Sequence, residues 1–246
     1  IEDLKKYNVN IAYVTPSHQF PTGTIMSISR RTELLNWANE NPNRYIVEDD
    51  YDSEFKYTGR PIPALKATDI NDKVIYLGSF SKSISPAIRV SYLALPKVLL
   101  NIYQKKLPYF ICPVPTLNQK ILYKFIKEGY FVKHINKMRT LYKKKREFLV
   151  NTIKTYSSKI LDKEIYIQGA DAGLHLVIKL DKKINEKEFL KECLENSLKL
   201  YSLEEYNIEE IDNEVSYFLL GYANLTNKEI EEGIFLLIKI LKKYYF

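Results

Sequence analysis

The sequence predicts an α/β chain in which a mostly parallel sheet of short strands alternating with helices is followed by a smaller α+β unit. Three observations predict it. Strand-type runs at Asn10–Thr15, Arg44–Val47, Val74–Gly78 and Val90–Leu95 fall in the first hundred residues, the first two separated by a helical pattern. After Pro96 the pattern turns helical as far as Thr155, and the remainder returns to mixed short strands and helices. At 246 residues, 46% hydrophobic and 27% charged, the chain has room for one large or two modest domains.

Taken in order, Asn10–Thr15 reads as a strand broken at Pro16, and Pro21, Thr22 and Gly23 close a loop. Ser29–Asn41 gathers Leu34, Leu35, Trp37 and Ala38 on one helical face. Arg44–Val47 ends in Glu48, Asp49 and Asp50, which places carboxylates at the carboxyl end of a strand. Val74–Gly78 and Val90–Leu95 show little polar alternation, as strands buried on both faces would. Helices are expected at Val98–Lys106, Thr116–Glu128 and Tyr130–Thr155, with Cys112-Pro-Val-Pro115 between the first two. Strands at Ile165–Gln168 and Leu174–Lys179, a helix at Glu186–Glu195 and a strand at Ser216–Leu220 follow. The last helix opens on a capping box, Thr226 with Glu229, and carries an apolar face of Ile230, Ile234, Leu237, Ile238 and Leu241. The expected division is 1–128 for the first part and 129–246 for the long helix and the small unit it joins.

Composition excludes several functions. None of the eight glycines falls into GxGxxG or GxxxxGK[ST], so a phosphate ligand must be held without a glycine-rich loop. Cys112 and Cys193 stand far apart with no CxxC or paired His, which points to no metal site and no disulfide framework, and fits a reducing cytoplasm. No apolar run has membrane-spanning length. The formal charge of +7 is concentrated between Lys120 and Lys154, where eleven basic residues face two acidic ones; the helical spacing there reads as a solvated face rather than a nucleic-acid stripe.

The segment Gly78-Ser-Phe-Ser-Lys-Ser-Ile-Ser-Pro-Ala-Ile-Arg89 follows a strand, at the carboxyl edge where open α/β sheets hold ligands. A lysine among small hydroxyls, with an arginine seven positions later, suits a Schiff-base amine beside a phosphate clamp. Glu48-Asp-Asp-Tyr51 offers a carboxylate for a protonated pyridine nitrogen and a phenol for a ring oxygen. His18 in Pro16-Ser-His-Gln-Phe-Pro-Thr-Gly23 reads as a hydrogen-bonded loop residue.

These elements, together with Glu48-Asp-Asp-Tyr-Asp-Ser-Glu-Phe55, Gly59-Arg-Pro-Ile-Pro-Ala-Leu65, Ala172-Gly-Leu-His175 and Leu220-Gly-Tyr-Ala-Asn-Leu225, resemble the fold-type I pyridoxal-phosphate aminotransferases of class I and II. The aminotransferase-like domain of MocR/GabR regulators, in the GntR superfamily, is a still closer match. The resemblance implies pyridoxal 5'-phosphate as cofactor, with Lys82 the catalytic, Schiff-base lysine. It implies Asp49 on the pyridinium nitrogen, Tyr51 on the phenolic oxygen, and Ser79 and Arg89 on the phosphate. It further implies an effector-sensing domain of a bacterial transcriptional regulator, answering an amino compound by Schiff-base exchange at Lys82. Its partners would be that small molecule and a second copy of the chain, with DNA reached only through an N-terminal winged helix that this sequence lacks. A free-standing aminotransferase acting on an amino acid is the alternative, and the residues leave open whether the chain is an enzyme. Two departures stand out. The upstream part of the large domain is missing, so the chain reads as a C-terminal portion. No arginine follows Arg146, whereas aminotransferases of this fold usually hold the substrate carboxylate with a C-terminal one.

Overall fold

The computed structural model describes residues 1–60, 62–208 and 214–245. Pro61 of the Gly59–Leu65 phrase, and residues 209–213 and Phe246 of the expected small unit, lie outside the described residues. The chain divides into two compact units, one of residues 1–19, 25–54 and 59–138, the other of 20–24, 55–58 and 139–246.

The first unit opens with α1 (Glu2–Lys6), β1 (Ile11–Val14), α2 (Ile28–Asn39), β2 (Tyr45–Asp50), α3 (Leu65–Thr68) and β3 (Val74–Ser79). It continues through the single turn α4 (Phe80–Ser83), β4 (Ser91–Ala94), α5 (Lys97–Lys106), α6 (Thr116–Lys127) and the start of α7 (Tyr130–Tyr156). Its sheet runs β1-β2-β3-β4, parallel across the first three strands and antiparallel at the fourth. Ser27 caps α2, its hydroxyl accepting from the Arg30 amide at 3.3 Å, and Leu34, Trp37 and Ala38 on one face of that helix pack with Ala12, Ile46 and Val74.

The carboxylates expected at the carboxyl end of the second strand stand there: Glu48, Asp49 and Asp50 are the last three residues of β2 and pair in register with Tyr76, Leu77 and Gly78. One expectation is corrected here: the last two strands of this sheet are not buried on both faces. β3 is half-buried, and every residue of β4 is exposed because that strand lies at the edge of the sheet. Helix α5 likewise buries no residue.

The second unit takes the remainder of α7, then β5 (Tyr166–Gln168), β6 (His175–Lys179), α8 (Glu186–Glu195), β7 (Tyr201–Ser202), β8 (Tyr217–Gly221) and α9 (Asn227–Tyr245). Its sheet, β5-β6-β8-β7, is wholly antiparallel. The apolar faces of α7, α8 and α9, through Leu149, Phe189, Ile234 and Leu241, cover Leu176, Ile178 and Phe218. The expected capping box is present: Glu229 Oε2 accepts from the Thr226 amide at 2.7 Å, and Thr226 Oγ1 accepts from the Glu229 amide at 3.2 Å. The lysines of the basic helical stretch lie mainly on exposed positions, a solvated face.

Candidate functional site

The candidate residues lie at the carboxyl ends of β2 and β3 and in the turns that follow. Side chains alternate along a strand, so the three neighbouring acids of β2 meet different surroundings. Glu48 is fully buried, and its two carboxylate oxygens accept from the Leu65 and Lys66 amides at 2.8 and 2.9 Å, holding the amino end of α3. Burial pushes its acid upward, against the pull of those two amides. Asp50, on the same face, accepts from the Tyr76 hydroxyl at 2.6 Å and from the Ser53 hydroxyl and amide at 2.7 and 3.2 Å, closing the turn after the strand. Asp49 points to the other face, is only half-buried, and takes the Tyr13 hydroxyl at 2.5 Å. Through that bond it raises the Tyr13 phenol to about 12. Glu48 and Asp50 are therefore committed to α3 and to the turn after the strand, and Asp49 stands apart from them on the opposite, half-buried face with Tyr13.

Tyr51 follows directly. Its hydroxyl donates to the His18 main-chain oxygen at 2.7 Å. Burial, then the nearby carboxylates Asp52, Asp49 and Asp50, pushes this phenol far above its ordinary range, so it stays a donor. His18, expected as a hydrogen-bonded loop residue, is that and more: it is buried, with Nδ1 2.9 Å from Asp52 Oδ2. Burial raises the Asp52 acid, while His18 and the Lys82 charge pull it back. Asp52 was not singled out by sequence reasoning, although it stands inside the Glu48–Phe55 phrase; Tyr13 had no local signal at all.

Lys82 sits in α4 immediately after β3 and is exposed. Ser79 caps this turn, its oxygen accepting from the Ser81 amide at 3.2 Å, which leaves its own hydroxyl hydrogen available to an acceptor. Arg89 ends a short 3-10 turn in the left-handed region, φ 50 and ψ 37, with Nη1 3.5 Å from Ser81 Oγ. At Gly78 the Tyr92 ring occupies the space a Cβ would take, so any larger residue there must displace that ring. Of the other arginines in this unit, Arg31 is spent: its three nitrogens donate to the oxygens of Met26, Pro63 and Pro16 at 3.1, 2.8 and 2.8 Å, tying the loops beneath the edge.

This donor set fits a phosphorylated pyridine aldehyde: an exposed primary amine, a half-buried carboxylate, a phenol held protonated, and a hydroxyl with a guanidinium after the same strand.

A parallel sheet with one antiparallel strand, a lysine turn after its third strand and a separate antiparallel sheet define an α/β chain of the fold-type I transferase class. Residues 2–234 match the model for aminotransferase class I and II, and the chain belongs to that family. Among particular proteins it is 40% identical over 95% of its length to the HTH-type transcriptional regulator YdeL of Bacillus subtilis. It is 30% identical, again over 95%, to the probable rhizopine catabolism regulatory protein MocR of Rhizobium meliloti. These matches cover 49% and 46% of the two relatives, so the chain spans about half the length of each. Of solved structures, LysN of Thermus thermophilus, an α-aminoadipate aminotransferase complexed with N-(5'-phosphopyridoxyl)-L-leucine, superposes with a TM-score of 0.81 at 26% identity, covering 99% of this chain and 62% of that one.

Proposed function

We propose that this chain is the pyridoxal-phosphate-binding, effector-sensing part of a MocR/GabR-type bacterial transcriptional regulator, and that an amino compound competes with Lys82 for the bound cofactor. In this reading Lys82 is the covalent anchor, Asp49 faces the ring nitrogen, Tyr51 donates to the ring oxygen, and Ser79 and Arg89 hold the phosphate. Residues 1–128 form the later part of the cofactor domain and 129–246 the connecting helix with the small domain. The likeness to the regulators YdeL and MocR supports the regulatory role. The whole protein would work in the cytoplasm as a homodimer and reach DNA through a winged helix upstream.

The observation that carries the reading is the division of labour in β2, where Glu48 and Asp50 are consumed by α3, Tyr76 and Ser53, while Asp49 lies on the other, half-buried face with the Tyr13 hydroxyl as its partner. Bound there, pyridoxal phosphate supplies an electrophilic carbonyl and an electron-withdrawing ring. The chain's own residues keep that ring protonated (Asp49), orient it (Tyr51), neutralise its phosphate (Arg89) and present a primary amine (Lys82). Mixing the protein with pyridoxal phosphate should give a visible band that borohydride abolishes while fixing a pyridoxyl group on Lys82. Unchanged capture by Lys82→Ala would sink the assignment.

The likeness to LysN favours one other reading, a class I and II aminotransferase acting on an amino acid. The absence of any arginine after Arg146 weighs against it. Turnover of an amino acid with a 2-oxo acid would establish it.

A further inference from the structure

We propose that His134 is a positioning residue for Lys82, holding the carboxyl end of α4 through the main-chain oxygen of Ser83; this rests on the Lys82 reading above. A helix of four residues has too few internal hydrogen bonds to hold itself. Its amino end is fixed by Ser79. At its carboxyl end the Ile84 and Ser85 amides both reach Phe80 O, at 2.9 and 3.4 Å, so that pairing satisfies none of the later carbonyls. Ser83 is only 1% exposed, and its hydroxyl is buried with no hydrogen-bond partner among the described residues. Its carbonyl oxygen instead takes His134 Nε2 at 3.1 Å. A carbonyl only accepts, so His134 carries its proton on Nε2.

The imidazole is itself held in place. Phe125 meets it edge-on at 6.1 Å and meets Phe131 at 6.3 Å. Phe131 in turn stands edge-on to Phe80 of α4 at 5.9 Å. Phe80 and Ser83 are three residues apart on α4, and Phe131 and His134 are three apart on α7, so one face of the short turn seats on one face of the long helix, with an apolar and a polar contact. Lys82 lies off that face and is exposed. The arrangement fixes the direction in which the amine leaves the turn without touching the amine.

Two variants separate the hydrogen bond from the packing. His134→Phe keeps an aromatic ring against Phe125 and loses the donor; His134→Gln loses the ring and keeps an N–H near the Nε2 position. Amide hydrogen exchange of Ile84 and Ser85 without cofactor should speed up about tenfold in His134→Phe and return to within about threefold of wild type in His134→Gln. Borohydride-fixable capture of pyridoxal phosphate should weaken by a similar factor in the first and recover in the second. Failure of the wild-type chain to capture pyridoxal phosphate at Lys82 would overturn the reading of the lysine, and this role with it. Normal capture and unchanged exchange in His134→Phe would overturn the role of His134 alone.

Discussion

His18 Nδ1 lies 2.9 Å from Asp52 Oδ2, and the two side chains are 0% and 3% exposed. The pair fastens the Pro16–Gln19 loop to the turn after β2, with Tyr51 held between them through His18 O. Removing the imidazole leaves a buried carboxyl without that partner. His18→Ala should therefore cost about 3–5 kcal/mol, and Asp52→Asn, which keeps a polar side chain against the ring, clearly less. Urea unfolding measures both, and a loss under about 1 kcal/mol in His18→Ala would show that the pair does not hold the loop.

Glu48 gives the fold an unusual response to pH. Its acid is raised by burial, so between the unfolded carboxylate value of about 4.3 and its higher folded value the native state binds more protons than the unfolded one. The contribution is fully present below that unfolded value and is lost as pH rises through the folded one. Glu48→Gln should flatten this decline in the urea midpoint above pH ~4. It should also cost about 1–3 kcal/mol at low pH, because an amide oxygen cannot satisfy both the Leu65 and Lys66 amides. An unchanged pH slope would rule the site out as its source.

Gly78 and Tyr92 form a matched pair across β3 and β4. Gly78→Ala must swing the Tyr92 ring aside, which should cost about 1 kcal/mol, at the low end for overpacking because Tyr92 is 45% exposed. The cost should vanish when the same change is made in a Tyr92→Ala background. Additive losses in that double-mutant cycle would mean that the glycine is needed for some other reason.

Arg89 combines a strained backbone with an exposed charge. Glycine tolerates its left-handed conformation better, so Arg89→Gly should leave the fold as stable or up to about 1 kcal/mol more so. The same change should weaken capture of pyridoxal phosphate by about ten- to a hundredfold, the range for one charge-assisted hydrogen bond, while pyridoxal, which lacks the phosphate, is bound as before. Equal loss for both ligands would remove the phosphate role.

The capping box at Thr226, the apolar stripe of α9 and the strand-then-lysine order around β3 were legible because each is written locally, in spacing and side-chain chemistry. The short helices α1, α3 and α4 were not, since a turn or so carries no periodic signature. Nor could spacing choose among Glu48, Asp49 and Asp50. Their roles depend on Leu65, Tyr76 and Tyr13, which reach them only after the sheet forms. β4 misled for a related reason: Tyr92 and Leu93 make an apolar strand, but composition does not record whether a strand lies inside a sheet or at its edge.

That edge has a bearing on handling the material. The first sheet ends at β1 and β4, with Ile11, Tyr13, Tyr92 and Leu93 exposed at 61%, 61%, 45% and 55%. Strand edges with apolar side chains template pairing with other molecules, and this sheet offers two of them. Electrostatic repulsion from the +7 charge opposes that contact at low ionic strength and fades once salt shortens its range. Concentrated solutions in high salt are therefore where turbidity should first appear.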